Sequence, residues 1–124
     1  MKHISTGSPF EAKLGYSRAV VKGGWCFVSG VTGYDYATMT MPESAADQAE
    51  QCFLTIGTVL SDAGFEMTDI VRVQYTIMSA TMVEEIAPVL ARHLGGVRPA
   101  ATMVVAGLIR PEMLVEIEVT AFKG

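Results

Sequence analysis

Arg98-Pro-Ala-Ala-Thr-Met-Val-Val-Ala-Gly-Leu108, followed by Leu114-Val-Glu-Ile-Glu-Val-Thr-Ala-Phe122, is the stretch from which the fold is read. It reads as two strands joined by a short loop at Ile109-Arg110-Pro111-Glu112, a hairpin at the C-terminal end. Pro99 fixes φ and cannot donate to a ladder, so it suits the mouth of the first strand. In the second strand the period of two sets Val115, Ile117 and Val119 against Glu116, Glu118 and Thr120. One face can be buried, and the other carries two carboxylates that are either solvated or functional.

Upstream, Ile70 to Met78 alternates in the same way, and Thr81 with Glu84 forms a capping pair ahead of Ile86, Val89, Leu90 and Leu94. Pro88 kinks that helix or delays its start, and Gly95-Gly96 stops it. Strand, helix and the strand after Pro99 make a βαβ unit. A longer helix opens at Ser44, with Asp47 completing its cap, and ends at Gly64. Ala45, Ala49, Cys52, Phe53, Ile56, Leu60 and Ala63 recur along it at helical spacing, a core stripe. Nearer the N-terminus, Tyr16 to Lys22 and Trp25 to Thr32 form a hairpin through Gly23-Gly24, whose positive φ angles permit the tight turn. His3 to Ser5 is a short first strand ended by Gly7-Ser8-Pro9. The order β-β-β-α-β-α-β-β predicts an α+β fold, one mixed sheet with two helices on its apolar face, in a single domain over residues 1–124. The loop Gly33 to Met39 carries Tyr34 and Tyr36 beside Asp35, which suit ligand or subunit contact as well as packing.

Half the residues are hydrophobic and only 18% are charged, a large apolar supply for 124 residues, which predicts a homo-oligomer. A net charge of −4 without a basic run argues against nucleic acid as a partner. No apolar run is long enough to span a membrane, and the cytoplasm is the expected location. Cys26 and Cys52 read as buried free thiols, and His3 and His93 stand alone without ligand-spaced partners, so no metal is expected. There is no Ser-His-Asp set, P-loop or dinucleotide fingerprint, and no cofactor is expected.

Tyr16-Ser-Arg-Ala through Phe27-Val-Ser-Gly30, Arg98-Pro-Ala-Ala-Thr102 and above all Val115-Glu-Ile-Glu-Val-Thr-Ala121 resemble the Rid family, the YjgF-like reactive intermediate deaminases. The resemblance implies a chorismate-mutase-like homotrimer with a small-metabolite cleft at each subunit interface and hydrolysis of enamines or imines such as 2-aminoacrylate. On this basis Glu118 is the candidate acid–base residue, and Tyr16, Ser29 and Thr102 are candidate substrate-binding residues. Arg98, three residues before position 101, is a further candidate because its long side chain can reach toward the same cleft, the alternative being a rim arginine in a surface ion pair. The arginine that clamps the substrate carboxylate in deaminating members falls at Ala101, the following cysteine at Met103 and a helix asparagine at Ala87. Alanine cannot make the paired hydrogen bonds of a guanidinium, so 2-aminoacrylate is not the expected substrate. The alternative is a non-catalytic ligand-binding or interaction module on the same trimer. A ribonuclease reading conflicts with the acidic charge.

Overall fold

The two strands of the C-terminal quarter do not pair with each other. In the computed structural model, which describes residues 1–124, six strands form one sheet. They are β1 (Lys2–Ile4), β2 (Ala19–Lys22), β3 (Trp25–Thr32), β4 (Ile70–Ile77), β5 (Ala100–Val105) and β6 (Val115–Phe122), in the spatial order β1-β2-β3-β6-β4-β5. β6 lies antiparallel between β3 and β4, and β5 runs parallel to β4 at the edge. The expected hairpin is therefore replaced by an insertion. Val115, Ile117, Val119 and Ala121 are all buried, so β6 fits the middle of the sheet. β5 enters behind Pro99 and is exposed along its whole length, as befits an edge. A parallel pair needs a long crossover, which the helix at Val83–Leu94 supplies.

Three helices are present, one more than the sequence reading contains. The addition, α1 (Pro9–Leu14), starts where a stop was expected. Ser8 caps it with its hydroxyl, Pro9 occupies the first turn where no N–H is needed, and Gly15 ends it at φ 74°. α2 (Ala45–Ala63) matches expectation at both ends: Ser44 Oγ accepts from the Asp47 N–H at 3.1 Å, and Gly64 closes it at φ 84°. α3 (Val83–Leu94) does not begin on a Thr81 cap. Ser79 instead caps a single tight turn at Ala80–Met82 that runs into the helix, and Pro88 is accommodated inside it. In the β2–β3 turn only Gly23 takes positive φ, at 59°. Gly24 is needed for space, since a Cβ there would lie 2.7 Å from the Lys123 carbonyl oxygen.

α2 and α3 cover one face of the sheet. Cys52, Phe53, Ile56 and Leu60 of α2 and Ile86 of α3 join Val73, Tyr75, Ile77, Val115, Ile117 and Val119 of the sheet in one core. Each fully buried side chain of this size contributes about 1.5–3 kcal/mol relative to exposure. Both cysteines are buried and unpaired, as expected. No helix is long and apolar enough to cross a membrane. The opposite face is open, with Trp25, Phe27 and Phe122 exposed at one end, in register with Thr120, and the polar row Gln74–Glu118 and Thr76–Glu116 beyond.

The two loop tyrosines are packing pieces within the subunit. Tyr34 is buried and donates to Glu112 Oε2 at 2.9 Å. The Tyr36 hydroxyl accepts from the Thr32 N–H at 3.2 Å.

Candidate functional site

β3 does not run straight. Its register with β6 shifts between Val28 and Val31, so Ser29 and Gly30 form a bulge. Bulges re-aim side chains and are common beside functional sites. The chain facing this bulge, Tyr16 to Arg18, was expected to be ladder but leaves it, since β2 begins only at Ala19. Two bonds tie the segments together: the Ser29 N–H donates to the Arg18 carbonyl at 2.9 Å, and Ser29 Oγ donates to the Ser17 carbonyl at 2.7 Å. Tyr16 and Ser29 thereby share the lining of an open cleft of about 540 Å³, together with His3, Glu11, Ser17 and Val20.

Behind the bulge lies a residue the sequence reading used only as part of a motif. Arg18 is 1% exposed. Its Nη1 donates to the Gly30 carbonyl at 2.7 Å, and Nη2 reaches the Tyr16 hydroxyl at 3.4 Å. The guanidinium lies over the Tyr36 ring, 4.7 Å from its centroid. Nε has no hydrogen-bond partner and sits 3.9 Å from Glu11 Oε2. Burial raises the proton affinity of Glu11, but hydrogen bonds from Thr6 and Ser5 and the charge of Arg18 outweigh it and hold the carboxyl below its ordinary range. A buried cation in this position would be costly without such partners. Periodicity could not have found it, because Arg18 and Ala19 are both buried and the local pattern does not alternate.

The two carboxylates of β6 sit differently. Glu116 is half-buried and lies directly over Gly30: a Cβ at Gly30 would meet its Cδ at 2.6 Å and both carboxylate oxygens at 2.9 Å. The missing side chain is what admits the carboxyl. Burial, then the neighbouring Glu118 charge, raise the pKa of Glu116, with Arg18 pulling the other way. Glu118 is exposed on the same open face, opposite Gln74.

Arg98 and Thr102 are not brought to Tyr16 and Ser29 within one chain. They stand at the far edge of the sheet, where Thr102 Oγ1 accepts from Arg72 at 3.4 Å and Arg98 is exposed at φ 53°. Three strand spacings separate β5 from β3, about 14 Å. Ala101 lies on that edge in register with Val73. His93 gains a partner that spacing did not suggest, Glu50 at 2.7 Å, which Arg92 also engages. The three clip α2 to α3, and no cluster of ligands able to hold a metal ion forms.

Known proteins share this fold. A family model described as Endoribonuclease L-PSP matches residues 6–123. The crystal structure of Rv2704 from Mycobacterium tuberculosis, a YjgF/YER057c/UK114 family member, is 34% identical, covers 98% of both chains and superposes with a TM-score of 0.90. The protein SCO2049 of Streptomyces coelicolor is 26% identical over 100% of this chain and 93% of its own. The 2-iminobutanoate/2-iminopropanoate deaminase of Bos taurus is 27% identical over 99% of this chain and 90% of its own. The α+β fold read from the sequence is that of these relatives, and the chain belongs to the Endoribonuclease L-PSP family, the YjgF/RutC/Rid proteins.

Proposed function

We propose that the protein hydrolyses a small enamine or imine, with Glu116 as the acid–base residue, in a cleft completed by further copies of the chain in a homotrimer. The observation carrying this reading is the half-buried Glu116 carboxyl over Gly30, with its proton affinity raised by burial and by Glu118. A carboxyl used as both base and acid must take and return a proton near the working pH. Glu116 would take a proton from water as the oxygen adds to the C=N carbon, then return it to nitrogen. Glu116 would then take the hydroxyl proton of the resulting carbinolamine and pass it to nitrogen as the carbon–nitrogen bond breaks, so that ketone and ammonia leave. The geometry favours Glu116 over Glu118, the residue preferred from the sequence, because the Glu116 carboxyl is half-buried against Gly30 whereas Glu118 is exposed. The deaminase relative supports the reaction class.

A trimer is supported by two features of the single chain. Trp25, Phe27, Met103, Val104, Val105 and Phe122 leave apolar surface uncovered. The cleft at Tyr16 and Ser29 also lacks the β5 residues, which only a neighbouring copy could bring to it. Ala101 offers no guanidinium for a substrate carboxylate, so a substrate other than 2-aminoacrylate is favoured. The same alanine, with Met103, favours the second reading, a ligand-binding module without turnover. RNA cleavage is not favoured, because Glu11, Glu116 and Glu118 give the site region an acidic cast.

The test is imine lifetime. Imines generated by an amino-acid oxidase from a panel of amino acids are trapped with semicarbazide, and the protein competes for them. Shortened lifetimes are expected for at least one side-chain class. Glu116→Gln should lower that rate about 10²–10⁴-fold, and Glu118→Gln should change it only a few-fold. Equal losses, or a larger loss for Glu118→Gln, would overturn the choice of acid. No acceleration across the panel would favour the binding module, and a monomeric mass by light scattering would remove the composite cleft.

A further inference from the structure

α1 separates two cavities. Glu11 and Ala12 face the Tyr16–Ser29 cleft, while Pro9, Phe10 and Lys13 line a second pocket of about 360 Å³ with Tyr34, Met39, Arg110 and Glu112. We propose that this second pocket binds a small monocarboxylate with an aromatic or bulky apolar body, at a site independent of the cleft.

Its walls have the required two-part chemistry. Phe10 and Tyr34 pack as an aromatic pair with centroids 6.0 Å apart, and Met39 supplies a polarizable apolar contact. The Arg110 guanidinium lies 5.0 Å from the Phe10 centroid, so a cation is stacked on the apolar wall. Lys13 is the second cation. Neither has a carboxylate within ion-pair distance: the chain's salt bridges involve only Arg18, Arg92 and His93. The pocket's acid, Glu112, instead accepts the buried Tyr34 hydroxyl at 2.9 Å. The Arg110 charge also acts on Glu112, but two cations against one carboxylate still leave the pocket net positive in a chain whose net charge is −4. That polarity selects an anion, and the aromatic wall selects one with an apolar body.

The pocket is also prebuilt. Gln48, 1% exposed, donates through Nε2 to the Pro42 and Glu112 carbonyls at 2.9 and 3.0 Å and accepts from the Leu114 N–H at 2.9 Å. The loops that carry Met39 and Arg110 are thus pinned to α2. Met39 holds a left-handed φ of 56°, fixed by its N–H to the Asp35 carbonyl at 2.7 Å. A ligand would meet walls already in place and would pay little to order them.

The eight methionines provide the test. Full-length protein labelled at the methionine methyl groups is titrated with benzoate and phenylacetate, and with benzamide and inorganic phosphate as the neutral and body-less controls. Saturable movement of the Met39 resonance by the carboxylates is expected, with Met103, on β5, unmoved. Benzamide and phosphate should each bind at least about tenfold more weakly. The double variant Lys13→Gln/Arg110→Gln, altered only at exposed side chains, should weaken benzoate about tenfold or more, while Glu116→Gln leaves it unchanged. No saturable shift at Met39, benzamide or phosphate equal to benzoate, or undiminished binding by the double variant would overturn the proposal. Because Glu116→Gln disables only the cleft chemistry, failure at one site is distinguishable from failure at the other.

Discussion

Replacing Arg18 by methionine removes the cation behind the bulge while keeping a long apolar side chain. The Gly30 carbonyl loses the charged donor 2.7 Å away, a loss of about 1.5–3 kcal/mol. The stacking on Tyr36 at 4.7 Å adds about 0.5–2 kcal/mol. Two terms oppose these. Methionine needs no desolvation of a charge. Glu11 is also not orphaned, because Ser5 Oγ, the Thr6 N–H and Thr6 Oγ1 still donate to it at 2.8, 3.1 and 2.6 Å. The net expectation is a loss of about 2–4 kcal/mol, read by urea denaturation at fixed protomer concentration with an unchanged slope. A loss below about 1 kcal/mol would refute the view that Arg18 holds the bulge. A double-mutant cycle adds a second check. If Glu11 depended mainly on Arg18, Glu11→Gln would restore stability in the Arg18→Met background. Because its own three donors hold it, no rescue is expected.

Two further predictions concern the carboxyl of the site and the support of the second pocket. The folded-state pKa of Glu116 is raised above 4.5, so the folded protein bears the cost of its charge at high pH and is relieved as pH falls through that raised value. Glu116→Gln should therefore stabilise the protein at pH 8, and the gain should vanish on acidification towards pH 4.5; a gain that grows on acidification would contradict the sign. Gln48→Ala breaks three part-buried hydrogen bonds of a buried side chain and should cost about 2–4 kcal/mol in urea denaturation, with faster amide exchange at Leu114; an exchange rate unchanged there would show that the loop is held otherwise.

The parts of the fold that were legible are those carried by local chemistry. Ser44 and Gly64 bound α2 as expected because caps act within a few residues. The faces of β6, and of β4 from Val73 onward, followed from the period of two. At the start of β4 a register shift between Ile70 and Arg72 leaves Ile70 buried and Val71, expected on the apolar face, exposed. α1 was missed although its signals are present: Ser8, Pro9 and Gly15 are a cap, a first-turn proline and a left-handed stop, and a proline read as a breaker can equally be a beginning. The placement of β6 was not legible, because alternation tells which face is buried but not which strand lies alongside. Tyr16 and Ser29 were named from motif resemblance, and the fold brings both to the lining of one cleft. Arg18 was not, since nothing local distinguishes a buried arginine from a surface one. The approach of the Glu116 carboxyl to Gly30 was not legible, because it depends on a bulge that offsets the register by an amount sequence does not display.

The insertion of β6 has a consequence for how the chain reaches this structure. Without residues 115–122, the sheet is two unconnected ribbons, β1-β2-β3 and β4-β5. The strand that fuses them is the last of the six along the sequence. Vectorial synthesis must therefore hold both ribbons in waiting until their keystone emerges, with the largest loop closure left to the end. A chain cut short before Val115 is not a shorter version of the protein but two halves without a seam.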